Sequence, residues 1–150
     1  MSTQYTLAII KPNAVKNKHA GVIISQIEKA GFVIKKLYLT KLSLAEAQAF
    51  YKEHAKRFFY NDLCVYMSSG SVIAMVLQKD NAVEAFRALI GDTDPKQAKV
   101  GTLRYQFGTS IDRNAIHGSD AEVTAKGEID FFFTQREFVK HFPANRVFPS

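Results

Sequence analysis

A chain of 150 residues with 47% apolar and 23% charged content suits one globular domain with a single core, so disorder and repeat architectures are excluded. The longest apolar stretches, Leu7 to Ile10 and Val72 to Leu77, fall far short of the roughly 20 residues a membrane helix needs. The formal net charge of +6 is spread over short runs, Lys16 to Lys18, Lys35-Lys36 and Lys96 to Lys99, which gives no basic stripe for nucleic acid and fits a polyphosphate ligand equally well.

The polar start Met1-Ser2-Thr3-Gln4 runs straight into a strand over Tyr5 to Ile10, so no secretory or transit segment is expected. A single cysteine, Cys64 in the run Leu63 to Met67, permits no internal disulfide and reads as a buried, inert thiol. A cytoplasmic location follows as an expectation. Lys11-Pro12 ends the first strand, because proline removes a ladder donor. A helix follows with Val22, Ile23, Gln26, Ile27 and Ala30 on one face and Gly31 at its end.

Phe32 to Leu39 reads as the second strand. Ser43-Leu44-Ala45-Glu46 has the spacing of a capping box, and opens a helix whose Leu44, Ala47, Gln48, Tyr51 and Ala55 share a face. Tyr51 then lies at the core-facing edge. A short helix near Asn61 to Met67 leads through Ser68-Ser69-Gly70 into Ser71 to Leu77, whose unbroken apolar run predicts a strand buried on both faces. Asp80 is the expected cap of the next helix, with Val83, Phe86, Leu89 and Ile90 inward and Gly91 at its end.

From Gly91 to Asn114 periodicity is weak, and a loop or short helices of that length point to function. Ser119-Asp120-Ala121-Glu122 reads as a second capping box, placing a helix start just past His117. Glu128 to Phe133 reads as the last strand, and Thr134-Gln135-Arg136-Glu137 as the cap of a short final helix. This order predicts an α+β fold over residues 1–150: a ferredoxin-like sandwich, a four-stranded antiparallel sheet with helices packed on it.

The chemistry gathers around His117. A neutral imidazole nitrogen can attack phosphorus near neutral pH, and a carboxylate on the other nitrogen fixes the tautomer and steadies the resulting cation. Neither a Walker A run nor a kinase glycine-rich loop is present, so neither phosphate cradle is available.

Several runs, in order, resemble the nucleoside diphosphate kinase family over essentially the whole chain. They are Lys11-Pro12-Asn13-Ala14-Val15, Tyr51, Phe58-Phe59 with Leu63, Tyr66-Met67-Ser68-Ser69-Gly70, Arg87 with Gly91-Asp92-Thr93-Asp94-Pro95, Gly101-Thr102-Leu103-Arg104, and Arg113 to Asp120. The resemblance implies ping-pong transfer of a γ-phosphoryl group from a nucleoside triphosphate, typically ATP, to a nucleoside or deoxynucleoside diphosphate. His117 is then the nucleophile and Glu128 its orienting carboxylate. Lys11, Arg87 and Arg104 match the cations around the phosphates, Thr93 a hydroxyl donor to a phosphate oxygen, and Tyr51 a phenol beside the histidine.

By the same resemblance Asn114 meets the ribose 3′-hydroxyl, and Phe59 and Ile111 are the two sides of a base slot. Mg2+ is expected on the nucleotide phosphates with few or no protein ligands, since His19, His54 and His141 lack metal spacing and read as surface residues. A homo-oligomer is implied, a hexamer first and a tetramer second. The chain departs from the family's usual residues at Asn13, Phe58, Ser71 and Tyr105-Gln106, none of them catalytic. Two rival readings remain at this level: a catalytically silent module of the same fold, and a single-strand nucleic-acid binder that uses its sheet.

Overall fold

A computed structural model describes residues 3–136. Four strands form one sheet in the order β2-β3-β1-β4, with every neighbouring pair antiparallel. They are β1 (Thr3–Ile10), β2 (Val33–Lys41), β3 (Ser71–Asp80) and β4 (Ile116–Gly118). The two hydrophobic strands β1 and β3 take the centre, where both faces are covered, as the continuous apolar run of β3 requires. This is the ferredoxin-like α+β arrangement.

The helices are α1 (Pro12–Lys16), α2 (Ala20–Lys29), α3 (Leu44–Phe50), α4 (Tyr60–Met67), α5 (Ala82–Ile90), α6 (Leu103–Phe107) and α7 (Glu122–Asp130). A short 3-10 turn, Lys52–His54, follows α3, and a wide π-helical turn, Phe131–Arg136, extends α7. Alternation along β1 divides the core. Ala8 and Ile10 point to a layer that holds Ile23 and Ile27 of α2 and Phe86 and Ile90 of α5. Leu7 and Ile9 point the other way, to Ala47, Tyr51, Cys64, Met67 and Phe132. No described helix is long and apolar enough to cross a membrane.

Several local expectations are corrected. Pro12 does more than stop β1: it occupies the first turn of α1, where its missing N–H costs nothing. Val22 is half exposed, because the buried stripe of α2 is narrow and centred on Ile23 and Ile27. The capping box of α3 is present, with Ser43 Oγ accepting from Glu46 N and Glu46 Oε1 accepting from Ser43 N. Within the helix only Ala47 is buried, with Leu44 and Gln48 exposed; the helix ends at Phe50, so Ala55 leaves its face and is exposed while Tyr51 stays buried.

Asp80 closes β3 instead of capping α5. Asn81, in the left-handed region at φ 52°, makes that turn. Ser119 likewise caps nothing, and α7 starts from Ala121 without a side-chain cap. Glu128 to Phe133 is helical, not a strand; the aromatic run suggested a strand, but helical spacing buries both Phe132 and Phe133 in the Leu7 and Ile9 core. The fourth strand is Ile116–Gly118, three residues too short to carry a period. Thr134 lies in the π-helical turn, whereas Glu137 and the final helix expected after it lie outside the described residues.

Candidate active site

Strand β4 is short, and its position in the sheet decides where His117 points. In the antiparallel ladder His117 stands opposite Ile9, so it shares the face that carries α3 and α4. Ile116 and Gly118 point the other way, and Gly118 lies against Phe86 and Ile90 of α5 with no room for a Cβ. Before the strand, Ala115 is held at φ 77°, a conformation that costs a non-glycine residue roughly 1 kcal/mol or more. The Lys11 N–H donates to the Ala115 carbonyl at 2.8 Å, which ties the end of β1 to this bend. The strain turns Asn114 and His117 toward one cleft.

His117 Nε2 lies 2.9 Å from Glu128 Oε1, and the same oxygen accepts from Ser119 Oγ at 2.6 Å. A carboxylate oxygen has lone pairs for both. With Nε2–H donating to Glu128, Nδ1 keeps its lone pair. The edge of Phe50 packs against the imidazole, ring centroids 5.6 Å apart, and Tyr51 stands at 6.5 Å. Ring contacts and the carboxylate together hold the imidazole plane.

The cleft around this histidine has a volume of about 650 Å³. All ten residues singled out from the sequence line it: Lys11, Tyr51, Phe59, Arg87, Thr93, Arg104, Ile111, Asn114, His117 and Glu128. Two of its cations are buried, at a cost that a structural role alone does not justify. Burial, then the neighbouring Arg104, pulls the Lys11 ammonium down to about 7, with Asp112 partly opposing. Burial, then Arg87, brings Arg104 down to about 10. Arg104 bonds main-chain carbonyls, Ile116 through Nε and Nη2 and Gly91 through Nη1. Its charge is thus oriented but not neutralised by those bonds.

Two buried polar atoms of cleft residues have no protein partner, Tyr51 Oη and Asn114 Oδ1. Buried polar atoms are nearly always paired, so both are acceptors or donors available to a ligand. Burial, with Glu128 adding to it, raises the Tyr51 phenol above its usual range and keeps it protonated. Asn114 is fixed by its Nδ2, which donates to the Thr93 carbonyl at 3.0 Å. The loop around Thr93 is itself pinned by side-chain turns, Asp92 Oδ1 accepting from Asp94 N and Asp94 Oδ1 from Lys96 N.

Ser119, Phe50 and His54 are among the residues at this site to which the sequence assigned no role there. Ser119 was read as a helix cap, yet it supports Glu128. Phe50 carried no signal beyond its place beside Tyr51. His54 is exposed, as expected, and also lines the cleft with its ring 5.8 Å from Phe59; its i+3 spacing from Tyr51 was the available clue. His19 is half-buried against Phe107, and His141 lies outside the described residues. Among the described residues no three His, Cys, Asp or Glu side chains come together as a metal site.

The family described as nucleoside diphosphate kinase matches residues 4–138. A nucleoside diphosphate kinase of Flavobacterium psychrophilum is 49% identical over 137 residues, covering 91% of this chain and 99% of its own. One from Campylobacter hominis is 52% identical over 134 residues, covering 89% and 98%. The crystal structure of Aquifex aeolicus nucleoside diphosphate kinase superposes with a TM-score of 0.87 at 39% identity, covering 91% of this chain and 99% of that one.

Proposed function

The chain belongs to the nucleoside diphosphate kinase family, and on that premise we propose that His117 carries the phosphoryl group between donor and acceptor nucleotides. The enzyme is a phosphotransferase that acts on nucleotides. The observation that carries the histidine's role is the Glu128 contact at 2.9 Å, which engages Nε2 and leaves the Nδ1 lone pair to act as nucleophile.

In the first half-reaction the Nδ1 lone pair forms a bond to the γ-phosphorus. The bond from that phosphorus to the β–γ bridging oxygen breaks, and its electron pair leaves with the diphosphate. Nε2 keeps its proton throughout, and Glu128, supported by Ser119, balances the positive charge on the ring. In the second half-reaction a terminal oxygen of the acceptor diphosphate attacks the phosphorus, and the N–P pair returns to Nδ1. Both nucleotides use one cleft in turn.

Phosphoryl transfer spreads charge over the equatorial oxygens and asks the protein for positioning and cations more than for covalent help. Lys11 and Arg104 supply that charge from buried positions in the cleft wall and Arg87 from an exposed one, and Tyr51 and Thr93 supply hydroxyl donors. Asn114 Oδ1 accepts the ribose 3′-hydroxyl. Phe59 and Ile111 hold the base by its faces, which makes recognition tolerant of base identity. Family members need a divalent metal, and we assign Mg2+. Lys11, Arg87 and Arg104 line the cleft beside His117, and on this reading the ion would arrive bound to the nucleotide and would neutralise phosphate charge there.

We read residues 1–150 as a single domain that works as a homo-oligomer in a reducing cytoplasm, consistent with a free, buried Cys64. Strand β2 lies at the sheet edge and exposes Val33, Leu37 and Leu39, an apolar edge that a second copy would cover. A hexamer is the first choice and a tetramer the second. Initial-rate kinetics with ATP and varied GDP test the proposed reaction: parallel double-reciprocal lines support a phosphorylated intermediate, and intersecting lines oppose it.

A further inference from the structure

We propose that Phe58 forms the outer wall of the base slot and makes this enzyme favour purine over pyrimidine nucleotides. The inference rests on reading Phe59 and Ile111 as the slot's two faces, and goes beyond it by assigning selectivity to a third residue.

Phe58 is 97% exposed, more than any other large apolar side chain described. A phenylalanine normally removes most of its surface from water, because burying it is strongly favourable. Here the ring joins neither core cluster. It lines the cleft instead, next to Phe59. The two rings stand 5.6 Å apart at 84°, so they form a corner: one face for a base to lie on, and one perpendicular ring at its end.

The corner sits on a fixed support. Phe59 immediately precedes α4, and the Tyr60 hydroxyl donates to the Gln48 carbonyl at 2.9 Å, which ties the start of α4 to α3. The Tyr60 N–H donates to the Arg57 carbonyl and so closes the turn that carries Phe58. The exposed ring is therefore presented by an anchored turn.

A nucleotide in this cleft is held from the inside outward. Its phosphates lie at Lys11, Arg104 and His117, its ribose at Asn114, and its base on Phe59 nearer the mouth. With the ribose end fixed, base length decides how far the ligand reaches. Two fused rings extend to the Phe58 wall and make an edge-to-face contact there; one ring stops short. Aromatic pairs of this geometry strengthen binding about threefold or more.

Dissociation constants for ADP, GDP, CDP and UDP, measured by titration calorimetry on the intact protein, test this. Phe58→Ala is expected to weaken ADP and GDP at least about threefold while CDP and UDP stay within error. Phe58→Tyr, which keeps the ring, is expected to keep the wild-type purine preference. Equal losses for all four nucleotides, no loss, or a larger pyrimidine loss would overturn the proposal. A changed native mass with unchanged constants would place the ring at a contact between copies, and would overturn it too. Phe59→Ala serves as a separate control: if it weakens none of the four, the slot reading itself fails, whatever Phe58 does.

Discussion

Two guanidinium nitrogens of Arg104, Nε and Nη2, grip a single carbonyl, that of Ile116, at 3.2 and 2.9 Å. Ile116 immediately precedes His117, so the cation proposed to face the phosphates also fixes the backbone beside the proposed nucleophile. Substituting Arg104→Ala should lower kcat by about two orders of magnitude, the scale for losing one transition-state charge donor. It should also cost about 1–3 kcal/mol of stability, because the Ile116 and Gly91 carbonyls lose donors. Steady-state kinetics and urea unfolding measure the two effects separately. Unchanged turnover in a destabilised variant would make Arg104 purely structural.

Lys11 gives the site a pH dependence with a definite sign. Its ammonium in the free protein is down at about 7, whereas bound phosphates would favour the charged form. Nucleotide affinity should therefore be full below pH 7 and fall as pH rises through 7 to 9, by up to about tenfold per unit, with proton uptake on binding. A phosphate's own second proton, with a pKa of about 6, is already gone in that window. Lys11→Met should bind more weakly and flatten the profile; a flat profile in the wild type would contradict the shift. In the free protein the same shift lowers stability below pH 7, and the loss disappears as pH climbs toward lysine's ordinary value near 10.4.

Gly118 packs the strand that carries His117 directly against α5. A Cβ there would lie 2.8 Å from Phe86 Cδ2 and 3.0 Å from Ile90 Cδ1. Gly118→Ala should cost about 1–3 kcal/mol by overpacking, and should reduce turnover by shifting β4 under His117. A lower urea midpoint accompanied by lower kcat is the expected pair of results. Full activity in a protein of unchanged midpoint would show that α5 yields without moving the strand.

The long apolar segments were legible in the sequence because burial on both faces, as in β3, or a helical stripe, as in α5, leaves a repeating mark. Strand β4 left none: three residues cannot show a period, and its identity comes from pairing with β1. The aromatic run Phe131-Phe132-Phe133 pointed to a strand, yet tertiary packing against Tyr38 and Phe50 holds it in a helical path. Ser119 and Asp80 matched capping patterns whose geometry the chain does not adopt, since each is engaged in the sheet or at the site. The ten residues brought together in the cleft could be found through the runs that carry them. Phe50 left no such mark and His54 only its i+3 spacing from Tyr51; an aromatic or a histidine beside a helix end has many uses, and the fold is what brings these two to the cleft.

A ping-pong route requires a phosphorylated histidine. Incubation with γ-labelled ATP and Mg2+, without acceptor, should leave up to one phosphoryl group per chain on the wild type, labile in acid and stable in base. His117→Ala should carry none, and adding GDP to the labelled wild type should discharge the label as GTP. A wild type that stays unlabelled, or a label that persists in His117→Ala, would contradict it.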